Sequence, residues 1–521
     1  MAKVCLIRPP LIDLRFRATT LTCPPIGLAY LAASARAAGH QVHVVDAVGE
    51  APTQSTALED DRYTLRGLTA EEVADRVPAD AQLLGVSCMF SQDWPYLKRV
   101  LRRLRERFPH IPIAAGGEHI TAMPELALAE GLVDFCVLGE GEETLVELLD
   151  AIGSGRRMRE VTGLVHREGD QIVRNATRAR VAEVDGLALP AWDLFPIEAY
   201  LGGGYGFGVD RGRCMPILAT RGCPYSCTFC SSPQMWTTKW VAREPAAVLD
   251  EIRGYMERYR ATNFDFYDLT AIIRRDWILA FCRLVLASGL KFTWQLPTGT
   301  RSEAIDEEVA QLLHATGCRN ITYAPESGSP SELRRIKKKV KLDSMKRSMR
   351  ACARQGIYVK ANIVFGFPGQ TPRELWESMR FIVAMAAIGV RDTMVYLFCP
   401  YPGSEMYRDL RAAGRIGEPN DEYFTALACY TDLSQGSSWS EHLSARQLAW
   451  ARVAGQLLFY VVSYLVRPWR SVQTAYHMAI RRHESPMERA LGDFAGRVLA
   501  GAMGRSGTRR QDLKATVDLE R

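Results

Sequence analysis

Cys223, Cys227 and Cys230 stand in Arg221-Gly222-Cys223-Pro224-Tyr225-Ser226-Cys227-Thr228-Phe229-Cys230, a C-x3-C-x2-C spacing directly after the apolar run Met215-Pro216-Ile217-Leu218-Ala219. Three thiolates this close are suited to three irons of a [4Fe-4S] cube, because such clusters are normally held by cysteine and one loop can wrap the cube. No fourth cysteine lies nearby. One iron would therefore stay open, which suits a cluster that binds something as well as passing electrons. A zinc loop competes with this reading, but zinc sites usually pair two C-x2-C units or add histidines, and neither accompanies this loop.

With Phe229 before its last cysteine, the motif resembles the signature of radical S-adenosylmethionine (SAM) enzymes. The resemblance implies that the amino and carboxylate groups of SAM chelate the open iron, and that reductive cleavage of SAM yields a 5′-deoxyadenosyl radical. Later residues resemble the family in order. Phe266-Tyr267-Asp268 takes the position of groups that bind the SAM amino end, although Leu269 stands where a second acidic residue is common. Arg301 is placed to pair with the SAM carboxylate, since a guanidinium forks onto carboxylates. Glu326, in Pro325-Glu326-Ser327-Gly328-Ser329, resembles the ribose-binding glutamate, with Ser327 beside it. Phe365-Gly366-Phe367-Pro368-Gly369-Gln370-Thr371 resembles the turn beside adenine, with Gly366, Pro368 and Gly369 as its contacts.

Strand and helix signals alternate around these residues. Strands are expected at Asn263 to Tyr267, Lys291 to Leu296, Asn320 to Ala324, Tyr358 to Phe365 and Asp392 to Leu397. Helices are expected between them, for example Ala246 to Tyr259 and Glu374 to Ala387. Six strands, counting the apolar run Met215 to Ala219 before the cysteines, with helices outside resemble the partial TIM-type (β/α)6 barrel of radical SAM proteins, whose active residues lie at strand C-termini.

The N-terminal part is a second α/β unit. Apolar runs at Val4 to Ile7, Val42 to Asp46, Leu83 to Ser87, Ile113 to Gly117 and Phe135 to Gly139, separated by helical stretches, predict a doubly wound, Rossmann-like parallel sheet. Ligands bind such sheets at the carboxyl ends of the strands. The loops there are Ser87-Cys88-Met89-Phe90-Ser91, Gly116-Gly117-Glu118-His119-Ile120-Thr121 and Gly139-Glu140-Gly141-Glu142. Their glycines let a bulky ligand approach the backbone, and no G-x-G-x-x-G follows the first strand. These loops resemble the cobalamin-binding domain found ahead of many radical SAM domains. Ser87, Gly116, Gly117, Glu118, His119, Thr121, Gly139, Glu140 and Gly141 are then the expected contacts. The usual D-x-H-x-x-G element is absent, so no histidine is expected beneath the cobalt; His119 is expected near the corrin, and His40 and His43 to be structural.

These readings divide the chain into a cobalamin-binding domain (1–150), a connector with a small hairpin (151–205), the radical SAM barrel (206–410), and a C-terminal helical region (411–521) with a disordered tail beyond Gly501. At 521 residues, 47% hydrophobic and 24% charged, the composition is that of a folded soluble protein of two or three domains. Without a signal-peptide pattern at Met1 to Pro9, a cytoplasmic location is expected, with most of the 13 cysteines reduced.

The basic run Arg334 to Lys341 interleaves no aromatics and is read as a solvated helix end, not a nucleic-acid site. From Arg467 to Arg521 there are 11 Lys/Arg against 6 Asp/Glu, a net of +5. The apolar stretch Ala445 to Val466 carries Arg452, Gln456 and Ser463 on one narrow stripe. It is read either as a packed helix or as one lying on an anionic membrane, with Arg467, Arg470, Arg481 and Arg482 as lipid contacts.

The function expected from the resemblance is methyl transfer from methylcobalamin to an unactivated carbon of a small-molecule substrate, with electrons from a flavodoxin or ferredoxin. Ring formation, as in anaerobic magnesium-protoporphyrin ester cyclases, is the second reading, and a non-catalytic cobalamin or redox sensor the third.

Overall fold

A computed structural model describes residues 1–14, 22–58, 63–301, 303–432, 436–479 and 488. The expected disordered tail, Arg481 and Arg482 lie outside the described residues.

The first sheet begins with β1 (Lys3–Arg8), whose Val4, Cys5, Leu6 and Ile7 are at most 1% exposed. Such a continuous apolar run suits a strand covered on both faces. With β2 (Gln41–Asp46), β3 (Leu83–Ser87), β4 (Ile113–Gly116) and β5 (Phe135–Val137), it forms a parallel sheet in the order β2-β1-β3-β4-β5. This is the doubly wound order with its topological switch between β1 and β3. The hairpin β6 (Leu164–Glu168) and β7 (Gln171–Arg174) continues that sheet antiparallel from β5. A three-stranded antiparallel sheet of Leu11–Leu14, Tyr63–Arg66 and Ser55–Ala57 was not foreseen; its strands are only three or four residues long.

The second sheet is six parallel strands in sequential order: β8 (Cys214–Ile217), β9 (Asn263–Phe266), β10 (Thr293–Thr300), β11 (Cys318–Glu326), β12 (Tyr358–Phe365) and β13 (Asp392–Leu397). Helices such as Pro245–Tyr259, Arg275–Ser288 and Pro372–Ile388 alternate with them, which is the expected partial barrel. β10 and β11 run beyond their expected ends, and their pairings shift register at Leu296/Gly299 and Tyr323/Glu326. Bulges of this kind re-aim side chains near active sites, and here they lie just before Arg301 and at Glu326.

The helix Ala445–Val466 packs on Pro372–Ile388 and on β13. Its buried face is Leu448, Arg452, Gly455, Phe459, Tyr460 and Ser463. Arg452 and Ser463 of the polar stripe are thus turned inward, and the apolar row Trp450, Val453, Leu457, Val461 and Leu465 outward. Arg452 donates there to the carbonyls of Cys429 and Asp432. A Cβ on Gly455 would lie 3.1 Å from Met379 Sδ, so the two helices meet closely.

Candidate active site between two loop sets

Asp268, just beyond β9, is fully buried and accepts hydrogen bonds from the backbone N–H groups of Ala219 and Thr220. Burial pushes its carboxyl up to about 6, against these hydrogen bonds. Asp268 therefore fixes the entry to the cysteine loop, which corrects its expected role as a direct SAM contact. Tyr267 is likewise engaged, hydrogen-bonding the Cys23 thiol and meeting Phe207 edge-on at 5.9 Å.

The cysteine loop is held from several sides. Thr228 N–H donates to Ile336 O at 3.1 Å, Met406 N–H donates to Thr228 O at 2.9 Å, and Phe229 packs 5.4 Å from Phe367 of the Gly366–Gly369 turn. Arg301 lies 3.6 Å above the Tyr225 ring and binds Glu303 and the Lys339 carbonyl. Cys223, Cys227 and Cys230 are free, part-exposed thiols close enough to act on one another electrostatically. Among the described residues no three His, Cys, Asp or Glu side chains converge on a single metal ion. A cube does not ask for that, since each thiolate takes a different iron, and three part-exposed thiols in one loop fit it.

Glu326 ends β11 with φ +64, a left-handed conformation rare for glutamate. Such strain gathers at functional sites. Its carboxylate lies 2.9 Å from Lys338 Nζ, and that ammonium is 5.9 Å from the Phe229 ring centre. Burial would lower the Lys338 pKa, but the Glu326 carboxylate outweighs it and holds it above the usual value. Lys338 is a residue that sequence reasoning missed: it sits in a run read as solvated, and only the turn after Ile336 aims it inward.

Ser327 is not open to a ligand. It is fully buried and donates to Glu332, which Gln370 also reaches at 3.0 Å. Gln370 Oε1 in turn accepts from Gly366 N–H at 2.8 Å, so this network ties the Glu326 turn to the Gly366–Gly369 turn. Gly366 has φ +90, and a Cβ there would meet Leu448 at 2.9 Å; Gly369 N–H donates to Glu441, and Pro368 is part-exposed between them. Thr300 at the end of β10 and Asn362 in β12 each keep a buried side-chain oxygen without a partner. Unpaired buried polar atoms call for explanation, and here they fit a polar ligand in the barrel.

Facing this loop are the strand ends of the first sheet, and three of the expected cobalamin contacts are engaged by the barrel module. Glu118 accepts from the hydroxyl of Ser231, next to Cys230. Thr121 Oγ1 accepts from Gly139 N–H at 3.1 Å and lies 3.4 Å from Met235 Sδ, and its carbonyl accepts from Gln234 at 3.1 Å. Glu140 bonds Arg180 at 2.6 Å and Arg221 at 3.1 Å, and Arg221 also reaches Glu142 at 2.8 Å. Burial alone would raise the Glu140 pKa, but the two guanidiniums hold it below the usual range. These residues bolt one module to the other.

Two further expectations change. His119 is 1% exposed between Trp94 (5.0 Å) and Phe424 (5.2 Å), with Nδ1 2.9 Å from Ser91 Oγ. It supports the loops from behind, and burial pushes it down to about 3, so it stays neutral. At Gly117, φ is +113 and a Cβ would come 2.4 Å from Cys88 O, so this glycine lets two loops cross and need not face a ligand. Gly116 differs: a Cβ there meets only Val137, at 3.7 Å. Ser87 and Gly139 are part-exposed beside it, Gly141 backs onto Leu31, and Met89 and Phe90 are exposed at 45% and 42%. An open glycine edge beside exposed apolar side chains fits a large planar ligand.

Residues 421–430, read only as part of a helical region, fill the corner between the modules. Asp421 pairs with Lys98 at 2.5 Å, Phe424 meets His119, and Tyr430 stacks on Tyr396 of β13 at 4.3 Å. Asn420 as N-cap, followed by Asp421 and Glu422, was the available signal.

Fold and site together define a two-module protein in which the ligand edge of a doubly wound sheet is clamped against an iron-sulfur loop at a barrel mouth. Family models agree: the B12 binding domain matches residues 15–149 and the Radical SAM superfamily residues 217–382. The chain is 26% identical over 409 residues to an uncharacterized methyltransferase of Pyrococcus horikoshii, covering 78% of this chain and 82% of that one. It is 27% identical over 396 residues to the anaerobic magnesium-protoporphyrin IX monomethyl ester cyclase of Cereibacter sphaeroides, covering 74% and 60%. The solved structure of the cobalamin-dependent S-adenosylmethionine radical enzyme OxsB superposes with a TM-score of 0.66 over 97% of this chain and 82% of that one; at 14% identity this speaks for the fold alone. The protein is a cobalamin-dependent radical SAM enzyme with methyltransferase homologues, and its cofactors are a [4Fe-4S] cluster, SAM and cobalamin.

Proposed function

We propose that the protein is a C-methyltransferase acting on an unactivated carbon of a small molecule. The observation that carries this reading is the direct joining of the two loop sets through Glu118–Ser231 and Glu140–Arg221. It brings the two ligand edges together, and holding two reactants on opposite sides of one carbon is an orientation task. When bound, the cluster and SAM supply hydrogen abstraction, and methylcobalamin supplies the methyl group.

Cys223, Cys227 and Cys230 would hold the cluster. Arg301, Glu326, Lys338 and the Gly366–Gly369 turn would hold SAM, and Ser87, Gly116 and Gly139 would line the corrin edge. Asp268 orients the cysteine loop, Lys338 neutralises and steers Glu326, and the 421–430 segment excludes water from the corner between the modules. His119, enclosed behind its loop between Trp94 and Phe424, would not serve as a ligand to the cobalt.

The test is anaerobic incubation of the reconstituted enzyme with methyl-labelled SAM and producer-cell extract, following the label by mass spectrometry. Label in a product supports methylation. An unlabelled product with a new ring supports the cyclase reading, which the Cereibacter relative favours. A protein that makes neither a labelled product nor 5′-deoxyadenosine supports the sensor reading.

A peripheral membrane contact and a hydrophobic substrate belong to the same proposal. The support is the outward row Trp450, Val453, Leu457, Val461 and Leu465 on the Ala445–Val466 helix, each at least 39% exposed. That helix is long and apolar enough to cross a membrane by length and composition, but its other face is committed to the barrel. Arg467 and Arg470 do not contribute as expected: they donate to the carbonyls of Ala386, Ala387, Gly389 and Val390.

A further inference from the structure

Reductive opening of SAM consumes one electron, so the cluster must be re-reduced from outside the chain. The cysteine loop is covered on one side by the first module, through Glu118 and Glu140, and on another by the Gly366–Gly369 turn and the helix Glu405–Ala412. On the remaining side, the turn after helix Pro330–Arg335 lies against it. Ile336 O accepts from Thr228 N–H, Lys339 O accepts from Arg301, and Lys338 reaches inward over Phe229. The outer face of the same turn opens into a groove of about 1490 Å³. Arg334, Lys339, Lys341 and Arg350 on its walls are exposed, and no ion-pair partner is found for them among the described residues.

We propose that this groove docks a small acidic one-electron carrier protein, which delivers the electron to the cluster through the 336–339 turn. The reduced carrier is oxidised by one electron as the cluster is reduced by one; no proton or bond moves in this step. The proposal rests on the radical SAM reading and adds to it the place and charge of the donor's contact. The basic run read as a solvated helix end thereby gains a role. A nucleic-acid partner is less well matched, because no aromatic side chain is interleaved with the exposed cations to stack on bases. Charge complementarity mainly speeds encounter, by about 10- to 1000-fold, and salt screens it.

The test uses anaerobically reconstituted holoenzyme and the variant Arg334→Glu/Lys341→Glu/Arg350→Glu, with an acidic flavodoxin and an acidic ferredoxin as probes. Binding of each oxidised carrier is titrated, and cluster reduction by each reduced carrier is followed by stopped-flow absorbance. The expected result with one or both carriers is weaker binding and reduction slowed at least about tenfold at low ionic strength, a difference that shrinks as salt is raised. Iron content and reduction by dithionite should be unchanged. Wild-type rates and affinities in the variant with both carriers would overturn the proposal, as would intact carrier reduction alongside lost binding of a single-stranded RNA oligonucleotide titrated in parallel. Should the charge reversal reduce iron content, Arg334→Gln/Lys341→Gln/Arg350→Gln takes its place under the same criteria. A wild-type protein that takes up no cluster would sink the radical SAM reading itself, and this inference with it.

Discussion

The loops of the first sheet and the loops of the barrel occupy equivalent places, the carboxyl ends of parallel strands, yet their polar side chains are used in opposite ways. On the sheet, Glu118, Thr121 and Glu140 reach across to Ser231, Met235, Arg180 and Arg221. What remains open there is glycine and apolar surface, Gly116, Met89 and Phe90. In the barrel, Thr300 and Asn362 keep unpaired oxygens, and the charged pair Glu326–Lys338 lies beside the cysteine loop. A large cofactor with much apolar surface suits the first edge, and a small zwitterion whose every polar group needs a partner suits the second. Charged residues at a strand end are therefore not ligand contacts by default. Some serve to join the module to its neighbour.

The largest expected effect is on the barrel side. Cys227→Ala should bring iron from about four per chain to near none and abolish reductive SAM cleavage, as read by iron analysis and 5′-deoxyadenosine. A variant that keeps both would break the assignment of the loop.

On the sheet side, Glu140→Ala should leave Arg180 buried without its carboxylate and Arg221 with Glu142 alone. Removing one member of a buried ion pair costs about 3–5 kcal/mol. Limited proteolysis should then cut between the modules in a protein whose isolated cluster loop still binds iron. If Glu140→Ala leaves protease resistance unchanged but weakens cobalamin binding, Glu140 faces the cofactor after all and the comparison fails.

His119 sharpens the same contrast. Its pKa falls from 6.5 in the unfolded chain to about 3 in the folded one, so its stabilising term is complete above pH 6.5. It is lost as pH falls towards 3, because the unfolded state then binds a proton that the folded state refuses. The slope is about 1.4 kcal/mol per pH unit, or roughly 2.7 kcal/mol between pH 6.5 and 4.5. His119→Phe should flatten that part of the stability profile measured by denaturant unfolding; an unchanged profile would mean that the ring is hydrated.

The sequence showed the strands well, because buried parallel strands are continuous apolar runs: β3, β12 and β13 end where the residues alone place them. The cysteine loop was legible from spacing. Residues whose role depends on a partner far along the chain were not. Nothing near Glu140 names Arg221, 81 residues away, and nothing near Asp268 names the backbone of Thr220. The polar stripe of the Ala445–Val466 helix was legible but the way it faces was not, because a buried arginine is unexpected until its carbonyl partners at Cys429 and Asp432 are known.

That orientation sets the smallest and most local prediction. With Arg467 and Arg470 engaged in the barrel, attraction to anionic lipid cannot rest on them, and on the Ala445–Val466 helix the apolar row Trp450 to Leu465 is the surface that a membrane contact would use. Removing residues 440 to 521 is a poor test, since it would strip the cover from β13 and from the helix Pro372–Ile388. Leu457→Glu/Val461→Glu/Leu465→Glu changes only outward positions, at 61%, 53% and 76% exposure, and should leave iron content and thermal stability intact. Burying each of the three native side chains is worth about 1.5–3 kcal/mol, so sedimentation with liposomes should fall at least about 100-fold in affinity. If the apolar row carries the wild-type contact, it should change little with salt, because neither Arg467 nor Arg470 adds a screened term. Sedimentation that collapses at high salt would return the contact to basic side chains, and a wild-type protein that ignores liposomes would leave the hydrophobic-substrate proposal without its support.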